Sequence, residues 1–356
     1  MRIGILTYHR AHNYGAVLQC YALQQVLTDM GHEVNVIDYR QPYIENKYKS
    51  RIDFRRLVSC LIRLNISGAI FLIEKYLNSF TLRRNFNNFV DKFLNCSEPV
   101  GRNNIPDDYD CYVIGSDQMW GLHCTGGDEP VYWGLFRRKP GSKLIGYAIS
   151  SNKDYSKYLS LFEIADRVSK FDALSFREIS VCEEIQAVSR KQVKVCLDPT
   201  LLTTASMWNP LINDSYKNRQ YVATYFIRES HEVRKGLIEK AKAFASLRHL
   251  ELIDLSAMKY PVEDFISIIK CAQFVFTTSF HATVFSLLFG IPFTSICLCD
   301  GHDDRYVNLL NTLGLSNHLS KVNDGFIQPD IINVQEVNEK IKYLRQSSCQ
   351  FLLTNI

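Results

Sequence analysis

The stretch that decides the fold occupies residues 274–293 and reads F-V-F-T-T-S-F-H-A-T-V-F-S-L-L-F-G-I-P-F. Its apolar start predicts a buried parallel strand, which ends in hydroxyl residues. Ser279 and His281 then stand where an amphipathic helix begins, and Gly290 ends that helix. In open α/β sheets, ligands bind in the crevice outside the carboxyl ends of the strands. A histidine there can bind an anion and move a proton, although the position equally suits a histidine that packs against its own helix.

The alternation of strand and helix continues along most of the chain of 356 residues. Short apolar runs with helical patterns between them are typical of βαβ units and mostly parallel sheets. A chain of this length predicts about two domains. We therefore expect an α/β fold of two Rossmann-like, doubly wound domains that face a central cleft. The N-terminal domain is predicted at residues 1–165, with a basic helical insertion at about 41–96, and the C-terminal domain at 166–356, ending in a helix.

The net charge of +4 is too small for this length to predict binding to nucleic acid. Positive charge is concentrated at residues 40–92, where eleven Lys and Arg stand against four Asp and Glu. With aromatic residues between the charges, this segment predicts contact with an anionic membrane surface, or a solvated helical hairpin with basic outer faces. Eleven cysteines without a C-x-x-C pair favour a reducing compartment. The chain starts directly with a strand-like M-R-I-G-I-L, so we expect a cytoplasmic protein.

Two strand ends in the N-terminal domain carry polar side chains that suit a saccharide. After the first strand come Asn13, Tyr14 and Gly15, where a helix start offers free N–H groups to a hydroxyl or an anion. A glycine at such a turn is also common for structural reasons alone. After the third strand come Asp117 and Gln118. The carboxylate of Asp117 can accept a proton from a hydroxyl or cap the following helix.

Two arginines are candidates for binding an anion in the cleft. Arg177 follows an apolar strand and suits bidentate recognition of a phosphate or carboxylate, but it also suits a surface pair with Glu178. Arg305 follows two aspartates that are expected to cap a helix. Asp198, at another strand end, is interpreted as part of an ordinary Asp-Pro turn. A nearby group of possible metal ligands has no known zinc spacing, so no metal site is predicted: Cys297, Cys299, Asp300 and His302.

Taken in their order along the chain, the motifs around these residues resemble those of the polysaccharide pyruvyl transferase family. The resemblance covers roughly residues 2–315. It rests on N-Y-G-A-V-L-Q (13–19), Y-D-C-Y-V-I-G-S-D-Q-M-W (109–120), F-R-E (176–178), L-D-P-T (197–200), T-S-F-H-A-T-V-F-S (278–286) and D-D-R (303–305). It implies a fold similar to GT-B glycosyltransferases, with phosphoenolpyruvate as donor co-substrate and no further cofactor. The implied product is a pyruvate ketal on a sugar of a surface-polysaccharide repeat unit.

The resemblance also implies roles for individual residues. His281 and Asp117 are the expected catalytic residues. The expected donor-binding residues are Arg177, Ser279, His281 and Arg305. The expected acceptor-binding residues are Asn13, Tyr14, Gly15, Asp117 and Gln118. In better-known members an arginine precedes the histidine in an R-L-H motif, and Ser279 occupies that arginine's position here, so we expect Arg177 or Arg305 to supply the charge.

Two other functions fit the same fold. A nucleotide-sugar glycosyltransferase of GT-B type is one, although the chain lacks the pair of glutamates eight positions apart that many of those enzymes carry at the donor site. A non-catalytic saccharide-binding relative is the other, and it would bind a ligand without releasing phosphate. The expected partners are phosphoenolpyruvate and a saccharide acceptor. That acceptor would be lipid-linked if the basic segment contacts the inner face of the plasma membrane.

Overall fold

The computed structural model of the protein describes residues 1–49, 55, 58–59, 62, 65–257, 259–324 and 332–356. Their strands form two separate sheets. The strands of the first sheet are β1 (Arg2–Leu6), β2 (Glu33–Val36), β3 (Cys111–Ile114), β4 (Lys143–Ile149), β5 (Ala173–Phe176) and β6 (Val193–Val195). Those of the second are β7 (Tyr221–Tyr225), β8 (Glu251–Asp254), β9 (Phe274–Thr277), β10 (Phe293–Cys297) and β11 (Leu319–Lys321).

Both sheets are parallel throughout. The strand order is β2-β1-β3-β4-β5-β6 in the first sheet and β11-β10-β9-β7-β8 in the second, and every neighbouring pair runs in the same direction. Strands covered by helices on both faces read as continuous apolar runs, and β3 and β9 are buried at every position. The predicted α/β fold of two Rossmann-like halves is confirmed.

Helices connect the strands and cover the sheets. Those that begin before residue 200 are α1 (Tyr14–Asp29), α2 (Pro42–Lys47), α3 (Ile66–Phe93), α4 (Leu122–Thr125), α5 (Leu161–Ser169), α6 (Ile179–Val188) and α7 (Pro199–Leu202). Those that follow are α8 (His231–Ser246), α9 (Val262–Cys271), α10 (Phe280–Phe289), α11 (Asp304–Leu313) and α12 (Val334–Asn355). Among the described residues, no helix has the length and apolarity needed to cross a bilayer.

The predicted basic insertion corresponds to α2 and α3. Parts of it, at 50–54, 56–57, 60–61 and 63–64, lie outside the described residues. The C-terminal part of α3 is anchored to the fold, because Phe86, Phe89 and Val90 are buried. Phe89 packs edge-on against Tyr21 of α1, with ring centroids 6.2 Å apart.

The first sheet continues past the predicted domain boundary between residues 165 and 166. Strands β5 and β6 both belong to it, so the change of sheet falls after Val195. The C-terminal helix α12 also returns to this half. Phe351 is buried against Tyr147 of β4, and the ammonium of Lys143 donates to the carbonyl of Asn355 over 2.9 Å. An apolar run predicts a strand but does not show which sheet the strand joins, so the sequence alone places this boundary too early.

The two halves share a packed interface beside the cleft. Tyr14, at the start of α1, is fully buried and stacks on Phe265 of α9 with ring centroids 4.4 Å apart. Its hydroxyl donates to the carbonyl of Tyr260 over 2.8 Å. Tyr14 is thus part of the contact between the halves, where offset aromatic stacking stabilises packing.

Candidate active site

The ends of four strands meet in the cleft. Strand order reverses between β1 and β3 in the first sheet and between β7 and β9 in the second, and a crevice opens where the connections diverge. A cavity of about 520 Å³ lies between the halves at this point. Six of the predicted site residues line it: Asn13, Asp117, Gln118, Ser279, His281 and Arg305.

Position 15 must be a glycine, because the imidazole of His281 lies directly against the backbone there. A Cβ added at Gly15 would lie 2.0 Å from Nδ1 of His281, so no other residue fits without moving the imidazole. The side-chain oxygen of Asn13 accepts from the backbone N–H groups of Gly15 and Ala16, over 2.9 and 3.4 Å. The start of α1 is therefore capped by Asn13, and the prediction that those N–H groups are free for a ligand is wrong.

On its other side, His281 faces Asp198. Nε2 of His281 lies 3.5 Å from Oδ2 of Asp198, and Nη2 of Arg177 lies 2.6 Å from the same oxygen. Oδ1 of Asp198 accepts from the backbone N–H of Thr200 over 2.9 Å and from its hydroxyl. Arg177 also donates from Nε to Ser116 Oγ over 2.8 Å. The three ionisable groups form a buried array across the two halves.

Asp198 is charged although water does not reach it. Its side chain is fully buried, and burial alone would raise its pKa, but Arg177 and His281 outweigh that effect and hold the pKa of Asp198 below its usual range. Sequence reasoning missed this residue because Asp-Pro after a strand is also an ordinary turn pattern. Asp198 does cap α7, so the interpretation as a turn residue is correct for its local role. It does not include the pairing with Arg177 and His281.

Arg177 and Glu178 do not form a surface pair. Both side chains are buried, and Arg177 pairs with Asp198 instead. One oxygen of Glu178 accepts from Ser150 Oγ, whereas Oε2 is buried without a hydrogen-bond partner among the described residues. Burial raises the pKa of Glu178 and exceeds the opposing effect of Arg305. Glu178 is therefore a carboxylic acid that keeps its proton more readily than a surface glutamate.

Arg305 is an arginine of the cavity wall that is open to a ligand. It is half-buried on the first turn of α11, and it lines the main cavity together with two adjoining ones of about 150 and 350 Å³. Burial lowers the pKa of Arg305, yet a guanidinium stays charged in a protein. No carboxylate of another described residue lies within ion-pair distance of it, although Glu178 and Asp117 attract it from further away. A charge in a partly desolvated site without a close counterion is costly. This position suits a bound anion.

Arg228 lines the same cavity but is neutralised by the protein itself. It donates to both carboxylate oxygens of Asp300 and to Asp303, each over 2.9 Å. Asp303 also accepts from the backbone N–H of Cys299 over 2.7 Å. The prediction that Asp303 caps α11 is wrong, because its side chain makes no capping hydrogen bond. The carboxylate of Asp303 accepts from Arg228 instead.

The remaining predicted residues take up different positions. Asp117 and Gln118 lie half-buried at the cavity wall that the first sheet provides, and Oδ1 of Asp117 accepts from the backbone N–H of Gln118 over 2.8 Å. Ser279 is buried before α10 and makes no capping hydrogen bond with its side chain. Tyr14 is a packing residue, as described above. Within the described ranges, no group of three or more His, Cys, Asp or Glu is placed to hold a metal ion.

Sequence comparison identifies the family. A model of the family described as polysaccharide pyruvyl transferase matches residues 13–296, which is most of the chain. The chain belongs to the polysaccharide pyruvyl transferase family. The resemblance seen in the motifs is confirmed, and the cleft of this pyruvyl transferase family member contains Asn13 from the start of the match and His281 from near its end. No curated protein sequence matches the chain significantly.

Several solved structures show a distant likeness. The UDP complex of MnaA from S. aureus aligns with a TM-score of 0.47 at 9% identity, covering 99% of this chain and 90% of that one. UDP-GlcNAc 2-epimerase from Methanocaldococcus jannaschii gives 0.44 at 9% identity, covering 96% and 92%. An alpha-glucosyltransferase solved with UDP and DNA gives 0.43 at 12% identity, covering 100% and 95%.

Replacing Asp198 by asparagine should destabilise the protein in a pH-dependent way. Asp198→Asn leaves Arg177 buried without its counterion, and losing one partner of a buried pair typically costs about 3–5 kcal/mol. Because the folded-state pKa of Asp198 is depressed, its charge stabilises the fold fully above the pKa of an unfolded aspartate, about 3.9. That stabilisation is lost as the pH falls through the folded-state pKa.

Urea denaturation at several pH values measures this difference. The gap between wild type and Asp198→Asn should be large at neutral pH and shrink in acid. Asp108→Asn is the matched control, because it removes one partner of an exposed pair with Arg2, which is worth about 1 kcal/mol or less. Equal effects of the two substitutions at neutral pH would contradict the buried array.

Proposed function

We propose that this protein transfers the pyruvyl group of phosphoenolpyruvate to a sugar of a surface-polysaccharide repeat unit and forms a pyruvate ketal. Membership of the family supports a transferase of polysaccharide biosynthesis. The observation that carries the choice of donor is Arg305, a half-buried cation that faces the cleft and has no carboxylate within ion-pair distance among the described residues. A small donor with a phosphate and a carboxylate supplies the close counterion that this arginine lacks.

Phosphoenolpyruvate carries a phosphate and a carboxylate close together, so it needs two centres of positive potential. Arg305 is the first. The second is the start of α10, where Ser279 makes no side-chain capping bond and the backbone N–H groups suit an anion. Serine in the family's arginine position is compatible with this donor, because Arg305 and the helix start lie on the same cavity.

Ketal formation needs three proton movements. The methylene carbon gains a proton, which makes C2 electrophilic. We assign that proton to Glu178, which lines the two adjoining cavities together with Arg305. The first sugar hydroxyl attacks C2 and gives its proton to a base, which we assign to Asp117 on the opposite wall. The second hydroxyl then displaces inorganic phosphate, whose bridging oxygen keeps the bonding electron pair, and the proton of this hydroxyl passes to the departing phosphate. His281, which faces Asp198, is assigned to stabilise the leaving group and to relay that proton.

His281 should be central to turnover. His281→Ala is expected to lower the rate of phosphate release from phosphoenolpyruvate by about 10²–10⁴, the range for a general acid or base, with an unchanged circular dichroism spectrum. The assay uses a panel of hexose-containing acceptors. A parallel assay with UDP-sugars in place of phosphoenolpyruvate measures release of UDP and tests for a glycosyltransferase. The control is His231→Ala, an exposed histidine at the start of α8. Full activity of folded His281→Ala would remove this role.

Arg305 should determine donor affinity. Arg305→Ala is expected to weaken phosphoenolpyruvate binding by about ten- to a hundredfold, since a hydrogen bond to a charged group is worth about 1.5–3 kcal/mol. Isothermal titration measures this without any acceptor. Arg219→Ala is the matched control in the same half, because Arg219 is exposed and paired with Glu251. Unchanged affinity in Arg305→Ala would place the donor elsewhere.

Glu178 should act in the chemical step and leave donor affinity unchanged. Glu178→Gln keeps the shape and the hydrogen bond from Ser150 but cannot release a proton. We expect phosphate release to fall by about 10²–10⁴ while titration shows normal phosphoenolpyruvate binding. Glu183→Gln, an exposed change on the same helix, is the control. Normal turnover of Glu178→Gln would assign the proton to another group.

A further inference from the structure

Helix α3 carries a row of exposed apolar side chains. Their exposed fractions are 69% for Ile66, 51% for Ile70, 42% for Ile73, 53% for Leu77 and 51% for Phe80. The spacing alternates between four and three residues, which keeps side chains on one face of a helix. Soluble proteins seldom leave a contiguous apolar row uncovered, and such rows usually mark interaction surfaces.

This apolar row does not continue the core-facing side of the helix. At about 100° per residue, its five members fall within an arc of about 80°. The buried residues of the same helix, Phe86, Phe89 and Val90, centre on the opposite direction, about 180° away. The end of α3 that is anchored in the core therefore turns the row outward. The distance from the first to the last member is about 21 Å.

The charge of the surrounding segment decides what covers the row. Residues 40–92 contain eleven Lys and Arg against four Asp and Glu. A second copy docked on the same row would bring two such positive segments together, and like charges oppose that contact. An anionic bilayer complements both properties, because its acyl region accepts the apolar side chains and its phosphates attract the cations. Arg84, exposed and four residues after Phe80, continues the row toward the headgroups.

We infer that the outward face of α3 docks the protein on an anionic lipid surface. The helix lies along the interface with Ile66, Ile70, Ile73, Leu77 and Phe80 in the headgroup region, in the manner of amphipathic surface helices. Binding is reversible, because five side chains of this size bury too little area for permanent anchoring. It is also sensitive to salt, because the attraction of Lys and Arg to lipid phosphates is screened. This inference does not depend on the choice of donor or acceptor.

Sedimentation with vesicles tests the inference. Vesicles of phosphatidylcholine mixed with phosphatidylglycerol are compared with pure phosphatidylcholine, each at low and high salt. We expect binding to the anionic vesicles at low salt, little binding to the neutral ones, and release by salt. Binding to neither kind, or equal binding to both at every salt concentration, would overturn the inference.

Two triple variants locate the surface. Ile66→Ser, Ile73→Ser and Leu77→Ser combined should reduce binding to anionic vesicles at least about tenfold, since each buried CH₂ contributes about 0.8 kcal/mol. The matched control combines Leu161→Ser, Phe162→Ser and Leu247→Ser, which are 68, 83 and 80% exposed elsewhere, and it should bind normally. Equal loss in both variants would overturn the inference. Sedimentation equilibrium without lipid is the final check. A dimer that only the α3 variant abolishes would assign the row to a second copy and overturn the lipid proposal.

Discussion

Asp198 carries a negative charge in a place that water does not reach, and Arg177 and His281 hold it there from two sides. The three residues follow β5, β6 and β9, so this one interaction joins the first sheet to the second. It also sets the position of the imidazole, which is confined between Asp198 and the bare backbone of Gly15. The shape of the cleft and the placement of its histidine thus depend on a single buried carboxylate.

The two arginines of the second half that face the cleft differ in what neutralises them. Arg228 is matched by Asp300 and Asp303, so it supports the loop before α11 and has little charge left for a ligand. Arg305, on the first turn of α11, has no carboxylate within ion-pair distance among the described residues. Arg305 therefore adds positive potential to the cavity wall that also includes the start of α10. In a low-dielectric cleft, a charge of this kind acts more strongly than it would in water.

The insertion between β2 and β3 contributes both to the cavity wall and to the core. Helix α2 and the residue after it line the cavity with Ile44, Lys47 and Tyr48, while the end of α3 is embedded in the core. The apolar row on α3 points away from the core, and none of its five residues lines the cavity. Apolar residues on opposite faces of α3 therefore have different roles. Those buried near its C-terminal end stabilise the fold, and those of the exposed row are available to bind a surface outside the protein.

The sequence by itself determined the fold class, the crevice and most of the groups around it. This was possible because strand period, helix caps and strand-end residues are local properties, and six predicted residues do line one cavity. Tertiary structure alone decided which residues act together. From sequence, Asp198 is interpreted as a turn residue, Tyr14 as a ligand-binding residue and Asp303 as a helix cap. Each of these local roles is chemically possible. Their partners lie in distant parts of the chain, and the same is true of the sheet to which β5 and β6 belong. Charge pairing and burial arise only when those parts meet, so no local pattern could reveal them.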